Sequence, residues 1–149
     1  MKNKEMISYY NQGTNYKLKH KRSLSNWINQ VVHLENSNFS VGNINVVLCD
    51  DEYVLDINKQ FLNHNYYTDI ITFDYCEDTL ISGDLMISID TVKSNAKEYD
   101  VPFIEELYRV IAHGVLHLLG YKDSTENEKS EMRVAENNAL ILLKSIIPF

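Results

Sequence analysis

Apolar residues recur along the chain with two different periods, which separates segments predicted to be helical from segments predicted to be extended. Apolar positions three or four residues apart indicate helices over residues 23–35, 52–62, 90–99, 102–119 and 125–143. Runs rich in β-branched residues indicate strands over residues 44–49, 68–75 and 84–89. Residues 7–18 surround Gly13 and fit either a short hairpin or an edge strand followed by a turn.

Capping and turn residues predict where several of these elements begin and end. Asp50 or Asp51 is placed to cap the second helix, and Pro102 suits the first turn of the fourth helix. Gly120 is a suitable left-handed terminator of that fourth helix. The other expected caps and turns are Ser23 or Ser25, Asp90, and residues 80–83.

Strands and helices are interleaved without an internal repeat or a linker, which predicts one domain over residues 1–149. A chain of 149 residues that is 44% hydrophobic can bury a core without disulfides. We expect an α+β fold, α/β-like in its interleaving, in which a small sheet of about four strands packs against helices.

Composition excludes several classes of protein. No apolar run approaches the roughly 18 residues of a membrane span, and the first residues lack the continuous apolar stretch of a signal peptide. Cys49 and Cys76 stand alone, without the spacing of a redox or metal-binding pair. These features predict a cytoplasmic protein with reduced thiols and no membrane partner.

Charge is unevenly distributed along the chain. The net charge is −7, yet residues 1–22 carry +5 and the remaining 127 residues carry −12. This basic segment either faces RNA or is an ordinary solvated surface, and we favour the solvated surface. DNA binding is not expected of so acidic a chain. The charged residues of the segment are Lys2, Lys4, Glu5, Lys17, Lys19, Lys21 and Arg22.

Residues 113–123 carry the most informative chemistry. His113 and His117 lie four residues apart on the fourth predicted helix, so their side chains differ by about 40° in direction and can reach one metal ion. Gly120 lets the chain fold back, so that Asp123 offers a third ligand. Two such histidines alone are more often structural, but the glycine and the carboxylate favour a metal site.

The same spacing follows the ligand frame of metzincin proteases, His-Glu-x-x-His-x-x-Gly-x-x-His. Gly114 stands where those proteases carry their catalytic Glu, so the usual base for peptide hydrolysis is missing. A zincin-type metallopeptidase is therefore the disfavoured alternative. The missing side chain at Gly114 also lets another element approach the helix closely.

The stretch HGVLHLLGYKD resembles the signature of the YbeY family of bacterial endoribonucleases, His-Gly-x-Leu-His-Leu-x-Gly-Tyr-Asp-His. The resemblance extends over roughly residues 40–140. Supporting matches are Leu62-Asn63 with TDIITF at 68–73 (family Leu-Asn and Thr-Asp-Val-Leu-Ser-Phe), GDLMIS at 83–88 (family Gly-Asp-Ile-Val-Ile-Ser), and Met132 and Glu136 in the helix after the signature.

This resemblance implies a zincin-like domain with a mixed sheet that cleaves single-stranded RNA with a metal ion. It implies a role in 3′-end maturation of 16S ribosomal RNA and in ribosome quality control, with RNA as substrate and the ribosome or ribosomal proteins as partners. One Zn²⁺ per chain, held by His113, His117 and Asp123, would polarise a phosphate oxygen and supply the attacking water. No general base is identified. The alternative is a non-catalytic ribosome assembly factor with a structural metal.

Two departures from the family pattern bear on the site. Asp123 stands where the family usually has His, and Lys122 where it has Asp. Two imidazoles and one carboxylate leave a smaller positive charge at the metal, which weakens its Lewis acidity and suits a wider range of divalent ions. The family loop between Leu-Asn and Thr-Asp is longer and carries an Arg, whereas residues 64–67 here are HNYY and match no Arg.

Other groups must then meet the substrate phosphate. Lys122, Arg109 and the basic segment at the N-terminus are the candidates. Tyr66 and Tyr67 are candidates for stacking on bases, although we favour packing against the sheet edge.

The remaining polar candidates are given structural roles. Asp69 and Asp84 are expected to fix loops by hydrogen bonds rather than to orient a ligating histidine. His20, His33 and His64 are expected at the surface, and His64 is the one nearest the rim of the site.

Overall fold

The computed structural model describes residues 6–149, in which four strands and five helices follow one another. No helix in this part of the chain is long and apolar enough to cross a membrane. The strands are β1 (Met6–Gln12), β2 (Ser40–Cys49), β3 (Ile70–Asp74) and β4 (Leu80–Ser88). The helices are α1 (Lys21–Glu35), α2 (Asp51–Leu62), α3 (Ile89–Tyr99), α4 (Phe103–Leu118) and α5 (Glu126–Lys144).

The strands form one mixed sheet in the order β1-β2-β4-β3. β1 and β4 both pair with β2 in parallel, whereas β3 pairs with β4 in the antiparallel direction. The predicted α+β fold with a small four-stranded mixed sheet is therefore confirmed. β1 and β3 form the two edges of the sheet.

Alternating side chains on the central strands divide the apolar core into two parts. Along β2, Ile44, Val46 and Leu48 face a large core that also contains buried residues of α1, α3, α4 and α5. Val47 and Cys49 point the other way, into a smaller core with residues of α2. Because side chains on a strand alternate between faces, both faces of the central strands are covered.

Tertiary pairing changes two of the predicted extended segments. The first strand is an edge strand, because β1 pairs in parallel with β2, and residues 14–18 form no second strand of a hairpin. Residues 80–83 begin β4 instead of forming a turn. Leu80 pairs with Ser40 of β2, and Gly83 pairs with Asp74 of β3, so this segment is fixed by both neighbours.

The predicted cap of α2 is confirmed, because the Asp50 side chain accepts a hydrogen bond from the backbone N–H of Tyr53. The prediction for α1 is wrong. His20 adopts a left-handed conformation with φ 60° and the helix begins directly after it, ahead of both Ser23 and Ser25.

The predicted cap of α3 is also wrong. The Ser88 side chain accepts from the backbone N–H of Thr91 and caps the helix two residues earlier than expected. Asp90 lies in the first turn, where its carboxylate accepts from the backbone N–H of Asp51 and thereby connects α3 with α2. Asp90 is therefore used for a tertiary contact instead of a cap.

Both cysteines of the chain are free. Burial raises the pKa of the Cys49 thiol to about 12 and that of the Cys76 thiol to about 11. Thiols with so little thiolate near neutral pH are poor nucleophiles and poor metal ligands.

Two glycines set how closely α4 packs on the sheet. A Cβ atom at Gly114 would lie 2.8 Å from Cδ1 of Ile70 and from Cδ2 of Leu85, so the expected close approach of another element is confirmed. A Cβ atom at Gly83 would overlap the carbonyl oxygen of Phe73 and lie 2.7 Å from Cδ2 of Leu118. The helix that carries both histidines is therefore held directly against β3 and β4.

We expect Gly83→Ala to lower the free energy of unfolding by about 1–3 kcal/mol, because the added methyl group meets a backbone carbonyl in the sheet. Gly114→Ala is the matched comparison. Its methyl group meets the flexible ends of two side chains, and alanine favours the helix. We therefore expect a smaller decrease in its free energy of unfolding. Urea denaturation of both variants tests this, and an equal or larger loss for Gly114→Ala would contradict it.

Candidate metal centre

α4 and the segment after it bring His113, His117 and Asp123 together, as the sequence predicts. The Asp123 Oδ2 atom lies 3.2 Å from Nε2 of His113 and 3.6 Å from Nε2 of His117. One ligand atom from each residue lies within 4.8 Å of the others. Two ligands about 2.0–2.2 Å from a tetrahedral ion are separated by about 3.3–3.6 Å. This donor set therefore fits a single divalent cation.

The turn after α4 places the carboxylate opposite the histidines. Gly120 adopts φ 102°, and its N–H donates to the carbonyl of His117 at 3.0 Å, while the N–H of Tyr121 donates to the carbonyl of Leu116 at 3.0 Å. These paired bonds form a Schellman motif, which satisfies the last helical carbonyls and reverses the chain. The predicted role of Gly120 as terminator is confirmed.

The next helix supplies a partner for the first histidine. The Glu136 Oε2 atom on α5 lies 2.7 Å from Nδ1 of His113, and its Oε1 atom accepts from Nη1 of Arg109 at 3.1 Å. With Nδ1 donating to Glu136, the neutral ring of His113 keeps its lone pair on Nε2, the atom that faces Asp123. A carboxylate behind a histidine fixes the ring orientation and tautomer in this way at many metal sites.

The charges of this group adjust one another's protonation. Burial disfavours the charged ring of His113, but the hydrogen bond and charge of Glu136 outweigh that effect, so the pKa of His113 lies above its usual value. Burial likewise opposes the charged form of Glu136, yet His113 and Arg109 hold the pKa of its carboxyl below the usual value. The buried carboxylate is therefore stabilised by His113 and Arg109, and Arg133 lies 3.9 Å away as a further positive charge.

From the sequence, Glu136 is assigned only to the helix after the signature, and its pairing with His113 is not predicted. A signal was available, because Glu136 lies in the series Met132, Glu136, Ala139, Leu140 and Leu143, which is otherwise apolar and is buried in the structure. A charged residue in the core-facing stripe of a helix needs a buried partner. Identifying that partner requires the packing of α5 on α4.

The triad lines a groove with a volume of about 470 Å³. Its other walls come from α2, from the loop between α2 and β3, and from the edge strand β3. His64, Tyr66 and Asp69 are among the lining residues, so the expected position of His64 at the rim is confirmed.

The residues predicted to bind phosphate do not line this groove in the described part of the chain. Arg109 is held by Glu136 behind His113. Lys122 is exposed and lines a separate depression beside Glu128 and Glu131. The exposed basic residues Lys17, Lys19, Lys21 and Arg22 do not line the groove, and Lys2, Lys4 and Glu5 lie outside the described residues.

Tyr66, Tyr67 and Asp84 differ in whether they line the groove or make contacts elsewhere. Tyr66 and Tyr67 are 55% and 54% exposed, so neither ring is buried against the sheet edge. The Tyr67 hydroxyl donates to Glu52 at 3.1 Å, and only Tyr66 of the two lines the groove. Asp84 accepts from the Asn45 side chain on the neighbouring strand at 2.9 Å, which is a structural role.

Asp69 lies in the same groove as His113, His117 and Asp123, closer to them than a purely loop-fixing role requires. Its side chain lines the groove, and burial raises the pKa of its carboxyl, an effect that the nearby charge of His113 moderates. Its backbone carbonyl accepts from the N–H of Ser88 at 2.8 Å, which fixes the loop before β3 against the end of β4. Asp69 therefore fixes the loop as expected, but it does so through its backbone carbonyl.

Comparison with known proteins gives consistent matches. A family model described as Endoribonuclease YbeY matches residues 8–144. A protein named Endoribonuclease YbeY from Porphyromonas gingivalis is 45% identical over 141 residues, which cover 95% of this chain and 92% of the relative. A protein of the same name from Phocaeicola vulgatus is 47% identical over 138 residues, covering 93% and 99%. The solution structure of TM1509 from Thermotoga maritima superposes with a TM-score of 0.62 at 25% identity, covering 94% of this chain and 90% of that one.

We expect Glu136→Ala to lower the free energy of unfolding of the metal-free protein by about 1.5–3 kcal/mol, since it removes charged hydrogen bonds to Arg109 and His113. Glu131→Ala, an exposed acid on the same helix, is the control and should change stability little. Urea denaturation in the presence of a chelator measures both. Equal stability of the two variants would show that the Glu136 contacts contribute nothing to folding.

Proposed function

The chain belongs to the YbeY family of endoribonucleases, and we propose that it cleaves single-stranded RNA with a divalent cation held by His113, His117 and Asp123. The observation that carries this proposal is the convergence of two Nε2 atoms and one carboxylate oxygen on the wall of an open groove. Such a three-ligand set leaves room for substrate at the cation, as catalytic sites do and closed structural sites do not.

Zn²⁺ is the cation we propose, one per chain, because two imidazoles and a carboxylate form a typical catalytic zinc set. When bound, the cation polarises a phosphodiester oxygen and makes water a stronger acid. The carboxylate of Asp123 lowers the net charge at the centre and suits harder cations, so Mn²⁺ would also bind there. Glu136 holds His113 in the orientation and tautomer that binding requires.

The reaction we propose belongs to 3′-end maturation of 16S ribosomal RNA and to ribosome quality control. The domain would act in the cytoplasm as a single unit over residues 1–149, with the ribosome or its proteins as partners. The net charge of −7 supports the need for such a partner, because an acidic protein gains little affinity from RNA phosphates on its own.

We expect Asp123→Ala to bind well below one ion per chain, because two histidines alone are a poor site for a divalent cation. Asp74→Asn changes another acid of the same groove outside the triad and should keep one ion. Elemental analysis of both proteins, purified without chelators, measures the effect. Full metal content in Asp123→Ala would remove this residue from the ligand set.

A second experiment separates the classes of function. We expect the purified protein to cleave a single-stranded RNA oligonucleotide, to lose that activity in chelator, and to leave casein intact. Cleaved casein and intact RNA would instead indicate a zincin-type metallopeptidase. If a protein with one ion per chain leaves both substrates intact at high concentration, the non-catalytic assembly factor is favoured.

A further inference from the structure

An aromatic pair lies on the wall of the groove that holds the metal triad. The rings of His64 and Tyr66 stack with their centroids 5.1 Å apart and an angle of 21° between their planes. The Tyr66 hydroxyl lies 2.9 Å from Nδ1 of His64, so a hydrogen bond also joins the two side chains. Both residues line the groove together with His113, His117 and Asp123.

The loop that carries this pair is fixed by a buried side chain. Asn58 on α2 is 1% exposed, and its side-chain amide donates to the carbonyl of Tyr66 at 2.8 Å. The carbonyl of Asn58 accepts from the N–H of Asn63, and from that of His64 at 3.1 Å. Both ends of the loop are therefore tied to one residue of α2, although Tyr66 itself is more than half exposed.

The remaining groove residues do not explain how a polyanion is held. Among residues 6–149, no lysine or arginine lines the groove, whereas Asp69, Asp74 and Asp123 do. Phosphate recognition by fixed cationic side chains is thus weak there. Stacking needs no positive charge, because every nucleobase offers a π-face, and it contributes about 1–3 kcal/mol per base.

We infer that His64 and Tyr66 form a base-stacking subsite, in which one unpaired nucleobase of the RNA lies against the exposed ring of Tyr66. This inference rests on the proposed function, because it places the stacked nucleotide in the same groove as the cleavage centre. His64 supports the Tyr66 ring from behind, and Asn58 fixes the backbone. A base in a duplex has both faces covered by its neighbours, so the subsite selects single-stranded RNA with little preference for sequence.

The test is Tyr66→Ala, with Tyr66→Trp as the conservative variant and Tyr99→Ala as the matched control. Tyr99 is a comparably exposed tyrosine, 56%, at the end of α3 and outside the groove. We expect Tyr66→Ala to raise KM for a fluorescently labelled single-stranded RNA by about 5- to 150-fold, with kcat within about twofold, because lost stacking removes binding common to substrate and transition state. Tyr66→Trp should keep KM near the original value, and Tyr99→Ala should change neither constant.

A binding measurement separates failure of the subsite from failure of the proposed function. Fluorescence anisotropy of the same RNA with chelator-treated protein at low salt should show weaker binding for Tyr66→Ala than for Tyr99→Ala. If the unmodified protein cleaves no RNA but this difference is seen, the subsite holds and the nuclease proposal fails. If the protein cleaves RNA and Tyr66→Ala behaves like Tyr99→Ala in both measurements, the subsite is overturned. Equal metal content and thermal stability of the variants confirm that only the groove has changed.

Discussion

The candidate site depends on the reversal of the chain at the end of α4. A helix by itself can present two histidines four residues apart, but a third ligand must come from a segment that returns toward the same face. The left-handed conformation of Gly120 and the two hydrogen bonds of the Schellman motif make that return within three residues. A residue with a side chain is strained at this φ, so the backbone requires glycine here, and the candidate metal site depends on that glycine.

The same reversal starts the helix that completes the centre. Thr125 and Glu128 form a capping box at the beginning of α5, which fixes where the helix begins and therefore which residues face α4. Glu136 then lies in the interface between α4 and α5, where its carboxylate binds both His113 and the guanidinium of Arg109. A buried carboxylate costs free energy unless it is paired, so the position of Glu136 is best understood through the histidine that it orients. The contact that packs α5 on α4 is therefore the same contact that orients His113.

Features that depend on residues close together in the chain could be predicted from the sequence, whereas features that depend on contacts between distant residues could not. His113, His117 and Asp123 lie within 11 residues, and helix periodicity with one glycine is enough to bring them together. Glu136 lies 23 residues from His113, and the pairing needs the register of two packed helices, which a single sequence does not reveal. The cap of α3 is beyond local patterns for a similar reason, since Asp90 makes a tertiary contact that competes with capping. The order of the strands and the parallel pairing of β1 were likewise beyond local patterns.

The groove joins an acidic wall to a cluster of metal-binding residues, and this combination constrains how a polyanion is held. Within residues 6–149, positive charge at the groove is not supplied by lysine or arginine, so under the function we propose the affinity for phosphate would come chiefly from a cation held by the triad. Binding and cleavage would then depend on the same three ligands, and an RNA in the groove without the cation would be repelled by Asp69 and Asp74. Aromatic contacts on the neighbouring loop are the component of recognition that does not depend on charge. A groove lined by acidic and aromatic side chains and by no lysine or arginine of residues 6–149 offers little general attraction to RNA phosphates, so discrimination among RNAs there rests on shape and stacking more than on charge.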